Sequence, residues 1–125
     1  MKKFLLISMA ASAAFSQFQN VNVTPQNIND YEQIVDIRTE PEWRATGIVK
    51  GAKTITFDPY NTTKFIQELK DNFDISKPIA LICRSGNRSF HAARMLDSGG
   101  LNIINLNGGM GALIRQGYEP VPFNK

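Results

Sequence analysis

One cysteine is all the thiol chemistry that this chain of 125 residues carries, and a lone Cys83 excludes an internal disulfide. Exchange chemistry of the Cys-x-x-Cys kind is excluded with it, because no second sulfur is present to resolve a mixed disulfide. Histidine is equally scarce. His91 stands alone in a predicted helix, where packing or exposure accounts for it more simply than a role as a base. No run reaches the roughly 18 consecutive apolar residues that a membrane span needs. The formal charge is +3 with its basic residues scattered, so nucleic acid is set aside as a partner. What is present, 42% hydrophobic and 20% charged residues, suits one globular domain.

The first residues read as an export signal. Lys2 and Lys3 form a basic start, Phe4 to Phe15 is an apolar run broken only by Ser8 and Ser12, and Ala14-Phe15-Ser16 fits the small-x-small cleavage pattern. A cut after Ser16 leaves a domain of residues 17–125; a cut after Ala13 is the alternative, and an uncleaved amphipathic anchor is the other reading of the same stretch. Removing Lys2 and Lys3 lowers the formal charge from +3 to +1, which points to no partner. Cleavage predicts a periplasmic or secreted protein with no stable membrane anchor.

Beyond the signal, apolar runs alternate with helical spacing. Thr24-Pro25 opens a short helix carrying Ile28 and Tyr31. Strands are predicted over Gln33 to Ile37, Lys53 to Phe57, Ile79 to Ile82 and Ile103 to Leu106. Between them, Pro41 to Arg44 suggests one helical turn with Trp43 in the core. Asn61 to Phe73 places Phe65, Ile66, Leu69 and Phe73 on one helix face. Ser89 to Ser98 reads as a helix stopped by Gly99-Gly100, and a last short helix follows Gly108-Gly109 and ends near Gly117. Continuous apolar strands alternating with helices predict an α/β fold, a mostly parallel central sheet with helices on both faces.

That order puts Cys83 at the carboxyl end of the Ile79 to Ile82 strand, where open parallel sheets bind their ligands. The loop Arg84-Ser85-Gly86-Asn87-Arg88 then leads into the helix at Ser89. Such a loop curls so that successive N–H groups point inward as an anion nest; Gly86 permits a positive φ, and Asn87 tolerates one. Arg84 and Arg88 add positive charge, and all three effects favour an anionic sulfur. A structural cysteine buried as a small hydrophobe has no need of two arginines and a glycine turn within five residues.

Cys83 to Ser89, read as Cys-Arg-Ser-Gly-Asn-Arg-Ser, resembles the active-site loop of rhodanese-type sulfurtransferases. Val35-Asp36-Ile37-Arg38, then Glu42-Trp43 and Thr46 to Ala52, resembles the family's N-terminal signature. Asn107-Gly108-Gly109-Met110 with Gly117-Tyr118 resembles its closing one. The resemblance spans about 90 residues, from near Ile34 to Pro120. It implies a single rhodanese-like domain that works through a persulfide on Cys83, with neither metal nor organic cofactor. The donor implied is a small sulfur-containing anion such as thiosulfate. The acceptor is a thiophile, cyanide or a thiol, or an acceptor protein. The loop residues Arg84, Ser85, Gly86, Asn87, Arg88 and Ser89 are the candidate substrate-binding set.

Many members carry histidine after the glycine matching Gly47; Ile48 stands there instead, so a histidine base is excluded at that place. Asp36, Arg38 and Glu42 are supporting candidates. Arg38 is read as admitting an anionic substrate and Asp36 or Glu42 as orienting a loop arginine, against ordinary ion pairing or helix capping. Cysteine phosphatases with a related fold place their arginine six positions after the cysteine, whereas Arg88 is at the fifth and Ser89 at the sixth. A cradle one residue shorter suits a single sulfur better than a phosphate. A non-catalytic sulfur-carrier or interaction module is the reading of a different class.

Overall fold

The computed structural model describes residues 18–124. The export signal, its cut sites and the start of the 17–125 domain lie outside them. Five strands form one sheet: β1 (Gln19–Asn22), β2 (Ile34–Asp36), β3 (Lys53–Thr54), β4 (Ile79–Ile82) and β5 (Ile103–Asn107). All neighbours pair in parallel in the order β1-β5-β4-β2-β3. Four α-helices connect and cover them: α1 (Glu40–Thr46), α2 (Thr62–Asn72), α3 (Asn87–Ser98) and α4 (Gly109–Arg115).

Both faces of the sheet are covered, which is why β4 is buried at each of its positions. On one face Val35, Leu81 and Ile103 pack under Phe65 and Leu69 of α2 and Ala92, Ala93 and Leu96 of α3. The alanines let α3 lie close to the strands. On the other, Ile34, Ala80, Ile82 and Leu106 pack under Met110 and Leu113 of α4 and under Ile28. No helix among the described residues is long and apolar enough to cross a membrane.

The structure departs from the predicted elements most clearly at three places. β1 was not anticipated, since Gln-Asn-Val-Asn has no apolar run. It is an edge strand, held by its backbone register to β5 and by amide pairs: Asn105 donates to Asn20 at 2.7 Å and Asn107 to Asn22 at 2.8 Å. The stretch after Thr24 is a 3-10 turn, Ile28–Asp30, in place of an α-helix. Thr24 and Asn27 exchange side-chain and backbone hydrogen bonds at 2.9 Å and close the turn early. β3 is shorter than the predicted Lys53 to Phe57, yet the chain stays beside β2. Ile55 donates to the Asp36 carbonyl at 3.1 Å and Phe57 to that of Ile37 at 3.0 Å.

Two contacts fix the end of the sheet that carries Cys83. The first turn of α4 sits against the chain leaving β4, with Met110 N–H donating to the Cys83 carbonyl at 2.8 Å and Gly111 N–H to that of Arg84 at 2.9 Å. Gly109 makes this approach feasible: a Cβ there would stand 2.3 Å from the Cys83 carbonyl oxygen, and its φ is +60°. The C-terminal segment returns over α1. Ile48 and Val121 exchange backbone hydrogen bonds at 2.8 and 2.9 Å, and the Phe123 ring lies 5.2 Å from that of Trp43.

Gly109→Ala is expected to destabilise the domain by about 2–4 kcal/mol, from left-handed strain plus backbone overlap. Gly51→Ala, also at positive φ but with nothing within 4 Å of the added carbon, should cost only about 1–2 kcal/mol. Urea titration of both variants checks the difference, and equal costs would show that the α4 contact does not constrain the loop.

Candidate active site

Cys83 follows the last residue of β4 and is buried, with 0% of its surface exposed. Its side chain turns into the curl of the loop beyond it. Gly86, at φ +102°, donates its N–H to Sγ at 3.1 Å. The Ser89 hydroxyl stands 3.4 Å from Sγ and 3.3 Å from the Gly86 carbonyl, to which it donates. α3 begins at Asn87, two residues before the predicted Ser89, so its N-terminal turn opens directly onto the loop. The N–H groups of Arg84, Ser85, Asn87 and Arg88 meet no acceptor among the described residues. Together with the positive end of the α3 dipole they give the loop its affinity for negative charge. Arg84, Ser85 and Asn87 are exposed around the buried sulfur, and Ser89 lies inside with it.

The arginines of the region have different fates. Arg88 makes a two-pronged ion pair with Glu42 of α1, both N···O distances being 2.7 Å, across 46 residues of sequence. Glu42 reaches back as well to the Thr39 N–H at 3.2 Å, which ties the pair to the start of α1. The Arg88 hydrogen bond, chiefly, holds the Glu42 carboxyl down to about 2 despite partial burial, with Thr39 adding to the effect. Arg88 is pushed up in turn, first by its hydrogen bond to Glu42, against desolvation, and with smaller attractions to Glu42, Cys83 and Asp36.

Arg38 is only 1% exposed and all three of its side-chain nitrogens are engaged. It donates to Asp36, to the Thr46 hydroxyl at 2.9 Å and to the Gly47 carbonyl at 3.0 Å. Of the two readings of Arg38, the structure displays the ordinary ion pair: its guanidinium is engaged with the buried Asp36. Asp36 orients no loop arginine by direct contact; its carboxylate is filled by Arg38 and by the Trp43 indole N–H at 3.0 Å. Glu42 is the carboxylate that reaches the loop. Arg84 has no ion-pair or hydrogen-bond partner for its side chain among the described residues. His91, on α3, stacks edge-on with Phe90 and makes no hydrogen bond to Sγ. Thr39 and Thr46 were missed from sequence as supporting residues; a capping threonine at the start of α1 was the available signal.

A parallel sheet that offers one sulfur from a central strand end into a loop whose Gly86 N–H and Ser89 hydroxyl meet it defines a class of domains built around a cysteine loop. Within that class the chain belongs to the rhodanese-like domain family, whose pattern matches residues 21–116. It is 34% identical over 77 residues to "Putative sulfurtransferase YtwF" of Bacillus subtilis, covering 62% of this chain and 68% of that one. Its fold is similar to the rhodanese-like domain protein from Staphylococcus aureus, with TM-score 0.64, 23% identity, and 86% and 99% of the two chains covered. A rhodanese-related protein from Thermoplasma volcanium superposes with TM-score 0.58 at 28% identity, covering 78% of this chain and 94% of its own.

The depressed carboxyl of Glu42 stabilises the folded state when ionised. Its contribution is full above about 4.5 and fades as pH falls through about 2. Because the Arg88 side chain is 39% exposed, screening keeps this pair to about 1 kcal/mol. Glu42→Gln is expected to lose about that much at neutral pH and almost nothing near the acid end, measured by urea unfolding across that range. A loss independent of pH would show that the pair acts through packing alone.

Proposed function

We propose that this protein is an exported sulfurtransferase that carries a sulfane sulfur on Cys83 as a persulfide. The observation that carries the reading is the seating of Sγ in the loop, with the Gly86 N–H at 3.1 Å and the Ser89 hydroxyl at 3.4 Å. The Cys83 thiolate attacks the outer sulfur of a donor such as thiosulfate. The S–S bond of the donor breaks, sulfite leaves with its electron pair, and Cys83–S–S⁻ remains. Cyanide or a thiol then bonds to the outer sulfur, and the pair of the enzyme's S–S bond returns to Sγ. No net electrons and no cofactor are consumed. The unpaired loop N–H groups stand ready for the charge of the persulfide. Since Cys83 is buried, a donor first meets the exposed Arg84, Ser85 and Asn87. Family membership and the resemblance to a sulfurtransferase relative support the reading.

The same loop speaks against phosphate chemistry. Arg88, which would have to clasp a phosphoryl group, already gives both prongs to Glu42 at 2.7 Å. Export rests on the basic and apolar first residues, Lys2 to Ser16, and makes the periplasm or the exterior the expected location.

Intact-mass spectrometry of the reduced protein with thiosulfate is expected to show a gain of one sulfur atom, reversed by cyanide and missing in Cys83→Ser. A folded, reduced protein that gains no sulfur from thiosulfate or from a polysulfide would overturn the persulfide reading. Fractionation of expressing cells should find the processed chain, lacking its first residues, outside the cytoplasm; full-length cytoplasmic protein would overturn export.

A further inference from the structure

The two edges of the sheet are guarded differently. β3 is two residues long and carries Lys53, the kind of charge that keeps a strand edge from pairing. β1 is four residues long and carries neither charge nor proline. Val23 donates its N–H to the Asn107 carbonyl at 3.0 Å, so the odd positions of this segment bond to β5. The backbone N–H and carbonyl of Asn20 and the N–H of Asn22 therefore point away from the sheet. At the far end the Asn22 carbonyl is closed by the Asn27 side chain, which donates to it at 2.9 Å.

The open edge continues onto α3. Phe18, Asn20, Phe90, Arg94 and Asp97 line a hollow of about 430 Å³ between β1 and that helix. Phe90 leaves 37% of its surface exposed there, its ring edge-on to Phe18 with centroids 5.3 Å apart. Arg94 and Asp97 carry opposite charges three positions apart on α3. Neither side chain has an ion-pair or hydrogen-bond partner among the described residues. An unguarded edge, a half-exposed aromatic ring and two unpaired opposite charges make a surface that complements itself.

We propose that this face pairs with a second copy of the chain, β1 antiparallel to β1 across a two-fold axis, joining two five-stranded sheets into one. Four residues of strand, about 13 Å in length, are too few to hold a dimer alone, so the two α3 helices must close over the seam. α3 packs chiefly on β5. Three strand spacings of about 4.8 Å separate one β5 from the other, which leaves a gap of about 14 Å between the helices. Arginine and phenylalanine side chains reaching from both sides span it. The axis lays the two α3 stripes antiparallel, so the positive position of one copy faces the negative position of the other. The free amide of Asn20, whose oxygen already accepts from Asn105 at 2.7 Å, extends that amide pair across the seam. The inference is independent of the sulfur-transfer reading.

Sedimentation equilibrium of the full protein, from low micromolar to near millimolar concentration, is expected to show a species of twice the 14.0 kDa chain mass. Arg94→Asp and Asp97→Arg should each raise the dimer dissociation constant about tenfold, because the two-fold makes every reversal count twice. The two reversals combined exchange the charges and should restore the dimer. In the unsubstituted protein, amide hydrogen exchange at Asn20 and Asn22 should slow as concentration rises, a readout that needs no variant to fold.

A monomer at every concentration would overturn the proposal. So would single reversals that dimerise as well as the parent, or a folded double reversal no better than either single one. Protection of the Asn20 and Asn22 amides in a monomer would mean that another segment of the chain covers the edge, and would overturn the second copy as its occupant.

Discussion

The carboxylate of Asp36 is the point on which the functional end of this domain depends. It is wholly buried at the end of β2, and an ionised group in that position is tolerable only with its oxygens satisfied. Arg38 meets it from two residues away through backbone and guanidinium, and Trp43 meets it from α1. Removing one member of such a buried pair costs about 3–5 kcal/mol, far more than any surface contact in the molecule. The pair does not set the chemistry; it sets the position of α1. Arg38 spans from Asp36 to Thr46 and the Gly47 carbonyl, so strand end and helix end are clasped by one side chain.

From α1 the constraint passes to the loop through the half-buried, two-pronged contact of Glu42 with Arg88. That contact is weak as a contribution to stability and strong as a geometric restraint, because it fixes the first turn of α3 relative to α1. On the opposite side, the first turn of α4 holds the carbonyls of Cys83 and Arg84. The loop is thus fastened from both flanks while the Gly86 N–H meets Sγ and the other loop N–H groups find no acceptor among the described residues. Rigidity on one side and unspent hydrogen-bond donors on the other are what a site for a sulfur anion requires.

Much of this was legible in the sequence, for reasons that differ by element. β4 is a run of four apolar residues that only a doubly covered strand satisfies, and its position placed Cys83 at the strand end. Leu69 and Phe65 declared α2 by their spacing. β1 was not legible, because an edge strand of glutamine and asparagines is held by its neighbour's backbone and leaves no hydrophobic pattern. The roles of the arginines were not legible either. Arg84 and Arg88 stood in the loop as undistinguished cations, and Arg38 was open between admitting an anionic substrate and ordinary ion pairing. Which of them keeps a free charge is decided by carboxylates brought near by the fold, one of them 46 residues away.

The returning C-terminal segment carries a lesson about where this domain stops. The family pattern closes at residue 116, but the chain goes on to lay Val121 beside Ile48 and the Phe123 ring on Trp43, the indole that serves Asp36. At the other end the pattern begins at residue 21, inside the edge strand that starts at Gln19. A fragment trimmed to the conventional boundary would split β1 and expose the aromatic backing of the end of the sheet that carries Cys83. The packed domain of this protein therefore extends, at both ends, beyond the segment by which its family is recognised.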